Sequence, residues 1–143
     1  MDQIALAVEP SMLYRHQNPK PGEHAWGLAM STAACDLAET LGAKALLVPT
    51  FSGRTASAVA RLRPRVPIIG LSHNQASVQQ MALEWGVIPL PFPEAKNVED
   101  LWKSAVEAAR REGLVEAGDL VVLTAGTAVN MPGSTNVIKV EIA

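Results

Sequence analysis

Six consecutive residues carry the groups that could bind an anion: Thr50, Phe51, Ser52, Gly53, Arg54 and Thr55. They lie between an apolar run and a helical pattern, so the sequence predicts a strand, a polar turn and the start of a helix. A helix N-terminus exposes unpaired N–H groups and carries a partial positive charge. Hydroxyls and a guanidinium add donors that suit phosphate. Because Ser and Thr also cap helices that bind no ligand, phosphate binding and simple capping both stay open here.

The other reactive side chains form no recognisable constellation in the sequence. His16, His24 and His73 lack the spacing of metal ligands, and we expect the last two to cap or flank helices. Cys35 lies in a helical Ala and Leu pattern, so we expect it to be packed and unreactive. Ser52 is outside any G-x-S-x-G pattern, which makes serine hydrolase chemistry a poor interpretation. We therefore expect no catalytic residue and no metal site.

Composition excludes several classes of protein. The 143 residues are 48% hydrophobic, enough for one domain with a sizeable core. With 12 basic and 14 acidic residues the net charge is -2, so neither nucleic acid nor an anionic membrane is an expected partner. No apolar run reaches the roughly 20 residues that span a bilayer, and no secretion signal is evident. A single cysteine fits a reducing compartment, so we expect a cytoplasmic protein.

Helical and strand patterns alternate at intervals of about 20 to 25 residues, as βαβ units do. Residues 1–23 are predicted to form an N-terminal arm and linker, and residues 24–143 one α/β domain. Helices are predicted over residues 26–41, 55–62, 75–85 and 98–112, with Asn74 capping the third. The predicted strands are AKALLVP, RPRVPIIGLS, GVIPLPF, GDLVVLTAG and residues 136–142.

These elements predict a three-layer αβα sandwich around a mostly parallel five-stranded sheet, because βαβ connections are right-handed and cover both faces. The segment TAVNMPGST is too short for a helical crossover, so the last strand should be antiparallel. The proline-bearing GVIPLPF is expected at a sheet edge. Ligands bind beyond the carboxyl ends of strands in such sheets, where TFSGRT, SHNQ and AGTAVNMPGST should meet.

Three long segments, in order, resemble the C-terminal domain of pyruvate kinase: GAKALLVPTFSGRTASAVARLRPRVPIIGLS, ALEWGVIPLPF and GLVEAGDLVVLTAGTAVNMPGSTNVIKV. The likeness runs from about Trp26 to the end of the chain. The opening IALAVEPSMLYR is similar to the segment that joins the family's catalytic barrel to this domain. In this family the C-terminal domain is regulatory, so the resemblance implies an effector-binding function and a homo-oligomer.

The resemblance also implies particular residues. Its phosphate cradle corresponds to residues 50–55, with Phe51 contributing through its backbone. The loop that closes over the effector corresponds to residues 126–135, from Gly126 to a tip at Pro132, Gly133 and Ser134. Phe51 stands where relatives often carry a polar or basic side chain. Leu101 and Trp102 fall near the place where some relatives supply a second basic group. Fructose bisphosphate is therefore a doubtful effector, and a monophosphate, such as a hexose or pentose phosphate or AMP, fits these residues at least as well; phosphate or sulfate is also an expected ligand.

The family's catalytic barrel, which binds Mg, K and ADP or ATP for glycolytic phosphoryl transfer, is not matched by these residues. We expect no cofactor in this chain and no phosphotransferase activity from it alone. The EAGDLV segment is interpreted as a turn that opens the fourth strand, not as a metal site. Three hypotheses stay open: a regulatory domain that senses phosphorylated metabolites, a small independent enzyme acting on a phosphate ester, and an assembly module without a ligand.

Overall fold

The fold is described from a computed structural model, for residues 25–126 and 135–143. The predicted arm, residues 1–23, and the loop-tip residues Pro132, Gly133 and Ser134 lie outside the described residues. Four helices occur in the described part: α1 (Ala25–Leu41), α2 (Arg54–Arg61), α3 (Gln75–Met81) and α4 (Val98–Arg111). The strands are β1 (Ala45–Pro49), β2 (Ile68–Ser72), β3 (Val87–Pro91), β4 (Leu120–Gly126) and β5 (Thr135–Ile142).

The five strands form one sheet in the order β3-β2-β1-β4-β5. β1 pairs in parallel with β2 and with β4, and β2 pairs in parallel with β3. β5 is antiparallel to β4, as the short connection predicts. β3 lies at one edge, where its prolines place it. The predicted α/β class and the mostly parallel sheet with an antiparallel last strand are confirmed.

The sheet separates two apolar cores, which gives the molecule its three layers. On one face, Ala45 and Leu47 of β1 join a core that contains the buried side of α4. On the other face, Leu46 and Val48 pack with buried residues of α1 and α2 and with Met81 of α3. Every residue of β1 and β2 is buried. Because both faces of these strands are covered, their sequences run on without apolar and polar alternation.

Asparagine side chains fix the starts of two helices. Asn74 Oδ1 accepts a hydrogen bond from the Ala76 N–H at 3.0 Å, and Asn97 Oδ1 accepts one from the Asp100 N–H at 2.8 Å. Such caps satisfy donors that have no partner within the helix. The predicted capping role of Asn74 is confirmed. Within the described residues, no helix combines the length and the apolar character that crossing a bilayer requires.

The third helix is shorter than the sequence predicts. It ends at Met81, because the next N–H groups bond three residues back: Leu83 to the Gln80 carbonyl and Glu84 to the Met81 carbonyl. The tighter turn carries Trp85 away from the core, leaving it 38% exposed with the Arg63 guanidinium 4.9 Å from its ring centroid. Trp85 is therefore a surface residue and not part of the core, although it lies at the end of the predicted helix.

Candidate functional site

The carboxyl ends of β1 and β2 bring two of the predicted loops together. The two strands are parallel neighbours, with Pro49 of β1 level with Leu71 of β2. Hydrogen bonding to β2 continues for one residue beyond β1, because the Thr50 N–H donates to the Leu71 carbonyl at 2.8 Å. Residues 50–55 therefore begin at a fixed point of the sheet edge, beside the SHNQ segment that follows β2.

Gly53 forms the turn into α2. It is the N-cap residue, with φ of 83° and ψ of -4°, a left-handed conformation that costs other residues about 1–2 kcal/mol. Its N–H donates to Thr50 Oγ1 at 3.0 Å, and the Arg54 N–H lies 3.5 Å from Ser52 Oγ. The hydroxyls of Thr50 and Ser52 thus fold the loop back over its own backbone.

The start of α2 combines a helix N-terminus with an arginine and with loop segments that lack acidic residues. Its N-cap residue, Gly53, has no side chain to make a capping hydrogen bond, and the nearby hydroxyls of Thr50 and Ser52 face the N–H groups of Gly53 and Arg54. Arg54 is the first helical residue, and its side chain is exposed. The segments 50–55, 72–75 and 126–135 include no Asp or Glu, although the chain has 14. An anion here would meet the helix dipole and a guanidinium without a neighbouring carboxylate in these segments.

Two hydroxyls hold the Phe51 backbone in place. Its carbonyl accepts from Ser77 Oγ of α3 at 2.8 Å, and Ser72 Oγ at the end of β2 lies at 3.4 Å. The Phe51 ring is 37% exposed and lies against His73, with ring centroids 5.5 Å apart. The carbonyl is therefore engaged within the protein, which makes the backbone of Phe51 an anchor for the turn. The sequence did not indicate this role for Ser77. The one feature that could have pointed to it is that Ser77 is a small polar residue on the buried side of a helix.

The start of β5 reaches the same place. Thr55 Oγ1 and Thr135 Oγ1 lie 2.8 Å apart, although 80 positions separate the two residues. Thr135 is buried and pairs with Gly126, the last residue of β4. The structure therefore brings the predicted cradle and the two ends of the predicted closing loop together. The roles that the resemblance implies for Pro132, Gly133 and Ser134 lie outside the described residues and stay predictions.

Two further candidates are core residues. Cys35 of α1 is 5% exposed, and burial, with smaller contributions from the charges of Glu39 and Asp36, raises the pKa of its thiol from 9.0 to about 12. A thiol with that pKa is protonated at neutral pH and a poor nucleophile. Trp102 of α4 is buried, so it packs in the core and does not line the cradle. Within residues 25–126 and 135–143, no three residues of His, Cys, Asp or Glu lie close enough together to hold a metal ion.

The fold and the site define the class: an open, mostly parallel α/β sheet in which a helix opened by Gly53 begins at the carboxyl edge. Comparison with known proteins gives the family. The family model described as "Pyruvate kinase, alpha/beta domain" matches residues 28–141. The chain belongs to this family.

Curated relatives align with 80% to 99% of the chain. The pyruvate kinase of Geobacillus stearothermophilus is 39% identical over 145 residues, which covers 99% of this chain and 25% of the relative. The pyruvate kinase of Methylorubrum extorquens is 31% identical over 146 residues, 98% of this chain and 30% of the relative. Pyruvate kinase 2 of Synechocystis sp. is 38% identical over 114 residues, 80% of this chain and 19% of the relative. The chain thus spans about a quarter of the length of these relatives.

Proposed function

We propose that this domain binds a phosphorylated metabolite at residues 50–55 and regulates a pyruvate kinase in that way. The observation that carries the proposal is the start of α2. A left-handed glycine without a capping side chain opens the helix, two hydroxyls lie beside its first N–H groups, and an exposed arginine follows at once. These features, at the carboxyl edge of a parallel sheet, are the requirements of a phosphate site.

The ligand that fits this site is a monophosphate. Arg54 is the one Lys or Arg within the three loop segments. Leu101 and Trp102, near the position where some relatives supply a second basic group, are buried in the core. With a single cation to face, a bisphosphate would leave its second phosphate without a charged partner. A hexose or pentose monophosphate or AMP matches the charge better.

Regulation would follow from a population shift. A phosphate bound between α2 and the start of β5 stabilises the conformation in which these two elements are close. It can shift the equilibrium between two conformations of the enzyme only by the difference in its affinity for them. Phosphoryl transfer itself, with Mg, K and nucleotide, would lie in the barrel of a full-length family member. A small independent enzyme is less well supported, because His73 is the only histidine in the three loop segments and its ring packs against Phe51.

Titration calorimetry with ribose 5-phosphate and glucose 6-phosphate tests the binding proposal. Arg54→Ala should lower affinity about tenfold, since a charge-assisted hydrogen bond contributes about 1.5 kcal/mol at an exposed position. Arg61→Ala is the matched control, because Arg61 is an exposed arginine in the last turn of the same helix. Absence of heat with every phosphate ester tried, or equal effects of the two variants, would contradict the proposal.

A second function, subunit assembly along β5, is favoured by the contrast between the two sheet edges. β3 carries Pro89 and Pro91, which break the row of N–H donors that another strand would need. β5 has eight residues and no proline, and its Val140 and Ile142 side chains are 42% and 60% exposed. We therefore propose that a second copy of the chain packs against β5.

Sedimentation equilibrium tests the assembly proposal. Ile142→Glu should weaken self-association, because a carboxylate would replace an apolar contact at the interface. Ile88→Glu on β3, where the original side chain is 36% exposed, is the control and should leave association unchanged. A chain that is monomeric at every concentration would exclude this function without affecting the binding proposal.

A further inference from the structure

A bulge in β5 directs Thr135 toward α2. Along β5, Val137 packs against the core on the α4 side of the sheet, and Ile138 packs against the core on the opposite side. Alternation would place Thr135 on the same face as Val137, away from α2. The ladder shifts register at this point: Ala125 pairs with Val137, whereas Gly126 pairs with Thr135, so Asn136 is inserted between them. The inserted residue reverses the face of Thr135.

The reversed face explains how Thr135 reaches Thr55 Oγ1 at 2.8 Å. Thr135 is 9% exposed, so bulk water is poorly placed to replace its hydroxyl. Bulges next to binding sites commonly re-aim one side chain in this manner. The arrangement joins the second residue of α2 to the strand that follows the predicted closing loop.

A third threonine hydroxyl, that of Thr124, lies on the same face of the sheet as Thr55 and Thr135. Thr124 of β4 is fully buried, and its Oγ1 has no hydrogen-bond partner among the described residues. Alternation from Val122 places it on the face that α2 covers, and Val122 lies beside Leu46 of β1. Burying a hydroxyl without a partner is unfavourable, and such groups are usually completed by a ligand or an ordered water. Thr124 is thus a sign, independent of the α2 N-terminus, that this edge accommodates a polar occupant.

We propose that Thr135 is a positioning residue for the anion cradle, and this inference rests on the proposed phosphate-binding function. A hydroxyl has one proton to donate and two lone pairs that accept. When Thr55 donates its proton to a phosphate oxygen, the hydrogen bond between the two threonines can persist only with Thr135 as the donor. Thr135 therefore fixes the orientation of the Thr55 hydroxyl and strengthens its donation, because hydrogen bonds in a chain polarise one another.

The hydrogen bond between Thr55 and Thr135, which we call the relay, couples phosphate binding at residues 50–55 to the stability of the edge strand β5. Phosphate that engages Thr55 stabilises the Thr135 contact, and with it the bulge and the Gly126–Thr135 pair of the β4–β5 ladder. Exchange of the backbone amides of residues 135–137 should therefore slow when phosphate is bound. A threonine with only a packing role would leave this exchange rate independent of phosphate.

Backbone-amide NMR titration of the full chain with inorganic phosphate tests the proposal. Thr135→Val keeps the size of the side chain and removes the hydroxyl, and it should weaken phosphate binding about five- to tenfold. Thr135→Ser keeps the hydroxyl, so its affinity for phosphate should be within about twofold of wild type. Thr55→Val should be at least as damaging, and the double variant Thr55→Val/Thr135→Val should bind no more weakly than Thr55→Val alone, because Thr135 acts through Thr55.

The outcomes separate this inference from the proposed function. If the wild-type chain binds phosphate and Thr135→Val binds it with unchanged affinity, the positioning role of Thr135 is overturned. The proposed phosphate site at residues 50–55 then still stands. Effects of the two single variants that multiply in the double variant would also overturn it. If Thr135→Val does not fold, amide exchange in the wild-type chain decides, and rates at residues 135–137 that ignore saturating phosphate reject the relay. Failure of wild-type chain to bind phosphate would remove the proposed function itself.

Discussion

Gly70 of β2 lies directly beneath the side chain of Met81, so that a Cβ atom on Gly70 would be 2.6 Å from Met81 Sδ. The same methionine lies against the cradle, because a Cβ atom on Gly53 would be 3.4 Å from Met81 Cγ. One flexible side chain thus fills the space above a sheet glycine and beside the glycine that opens α2. Packing between α3 and the sheet and the shape of the cradle depend on the same side chain.

Gly70→Ala should destabilise the fold. The added methyl group would lie 2.6 Å from Met81 Sδ and 3.1 Å from Val87 Cγ1, so the buried Met81 side chain must move, and overpacking of this kind costs about 1–3 kcal/mol. Thermal unfolding should show a melting temperature lower by about 3–10 °C. Gly27→Ala is the control, since nothing lies within 4 Å of its added methyl group, and it should be neutral or stabilising. Equal melting temperatures for the two variants would contradict the packing described for Met81.

Gly53→Ala should weaken phosphate binding beyond what its loss of stability explains. An alanine at φ of 83° is strained by about 1–2 kcal/mol, and relief of that strain would move the N–H groups that begin α2. Gly118→Ala is matched in backbone strain, with φ of 96°, and lies between α4 and β4, outside the cradle residues. Calorimetry should find lower affinity for phosphate esters in Gly53→Ala alone, with similar thermal destabilisation of both variants. Equal affinities would separate Gly53 from ligand binding.

Thr124→Val should raise the stability of the ligand-free chain. The Thr124 hydroxyl is buried without a hydrogen-bond partner among the described residues, and removing such a group recovers about 1 kcal/mol of its desolvation penalty. Chemical denaturation should place the unfolding midpoint higher. Thr32→Val serves as the comparison, because Thr32 Oγ1 donates to the Leu28 carbonyl at 2.9 Å and its loss should bring no gain. A lower midpoint for Thr124→Val would mean that this hydroxyl is satisfied in solution.

Cys35 should make stability fall at alkaline pH. Its thiol has a pKa of about 12 in the fold against 9.0 in the unfolded reference, so above pH 9 the unfolded chain loses the proton while the folded chain keeps it. The free energy of unfolding therefore declines between pH 9 and 12, with a slope approaching about 1.4 kcal/mol per pH unit, and is unaffected by this group below pH 9. Urea denaturation of wild type and Cys35→Ala at pH 8 and pH 10 gives the difference. Parallel pH dependence in the two proteins would contradict the burial of the thiol.

The sequence predicts the sheet because each local signal agrees with the global fold. Continuous apolar runs mark β1 and β2, prolines mark β3 as an edge, and the short last connection requires an antiparallel β5. The end of α3 was missed because its pattern continues to Trp85, and only tertiary packing reveals that Met81 already fills the space above Gly70. The turn of residues 50–55 between β1 and α2 could be predicted because these residues are consecutive, whereas its role as a phosphate cradle stays a prediction.

Contacts between distant segments could not be predicted in this way. The hydroxyl pair of Thr55 and Thr135 joins residues 80 positions apart, and it exists only because Asn136 shifts the strand register. A one-residue bulge leaves almost no trace in an apolar pattern, since a single insertion at the end of a strand alters only the last position. Ser77 is similar, because its bond to the Phe51 carbonyl depends on how α3 packs against the loop.

The most direct test of a phosphate cradle at the start of α2 is a backbone-amide chemical-shift titration of the wild-type chain with ribose 5-phosphate. We expect saturable shifts that are largest at the amides of Gly53, Arg54 and Thr55, with smaller ones at Thr135, and little change along β3 at the far edge. Shifts that do not saturate, or that saturate elsewhere while these three amides stay fixed, would contradict it.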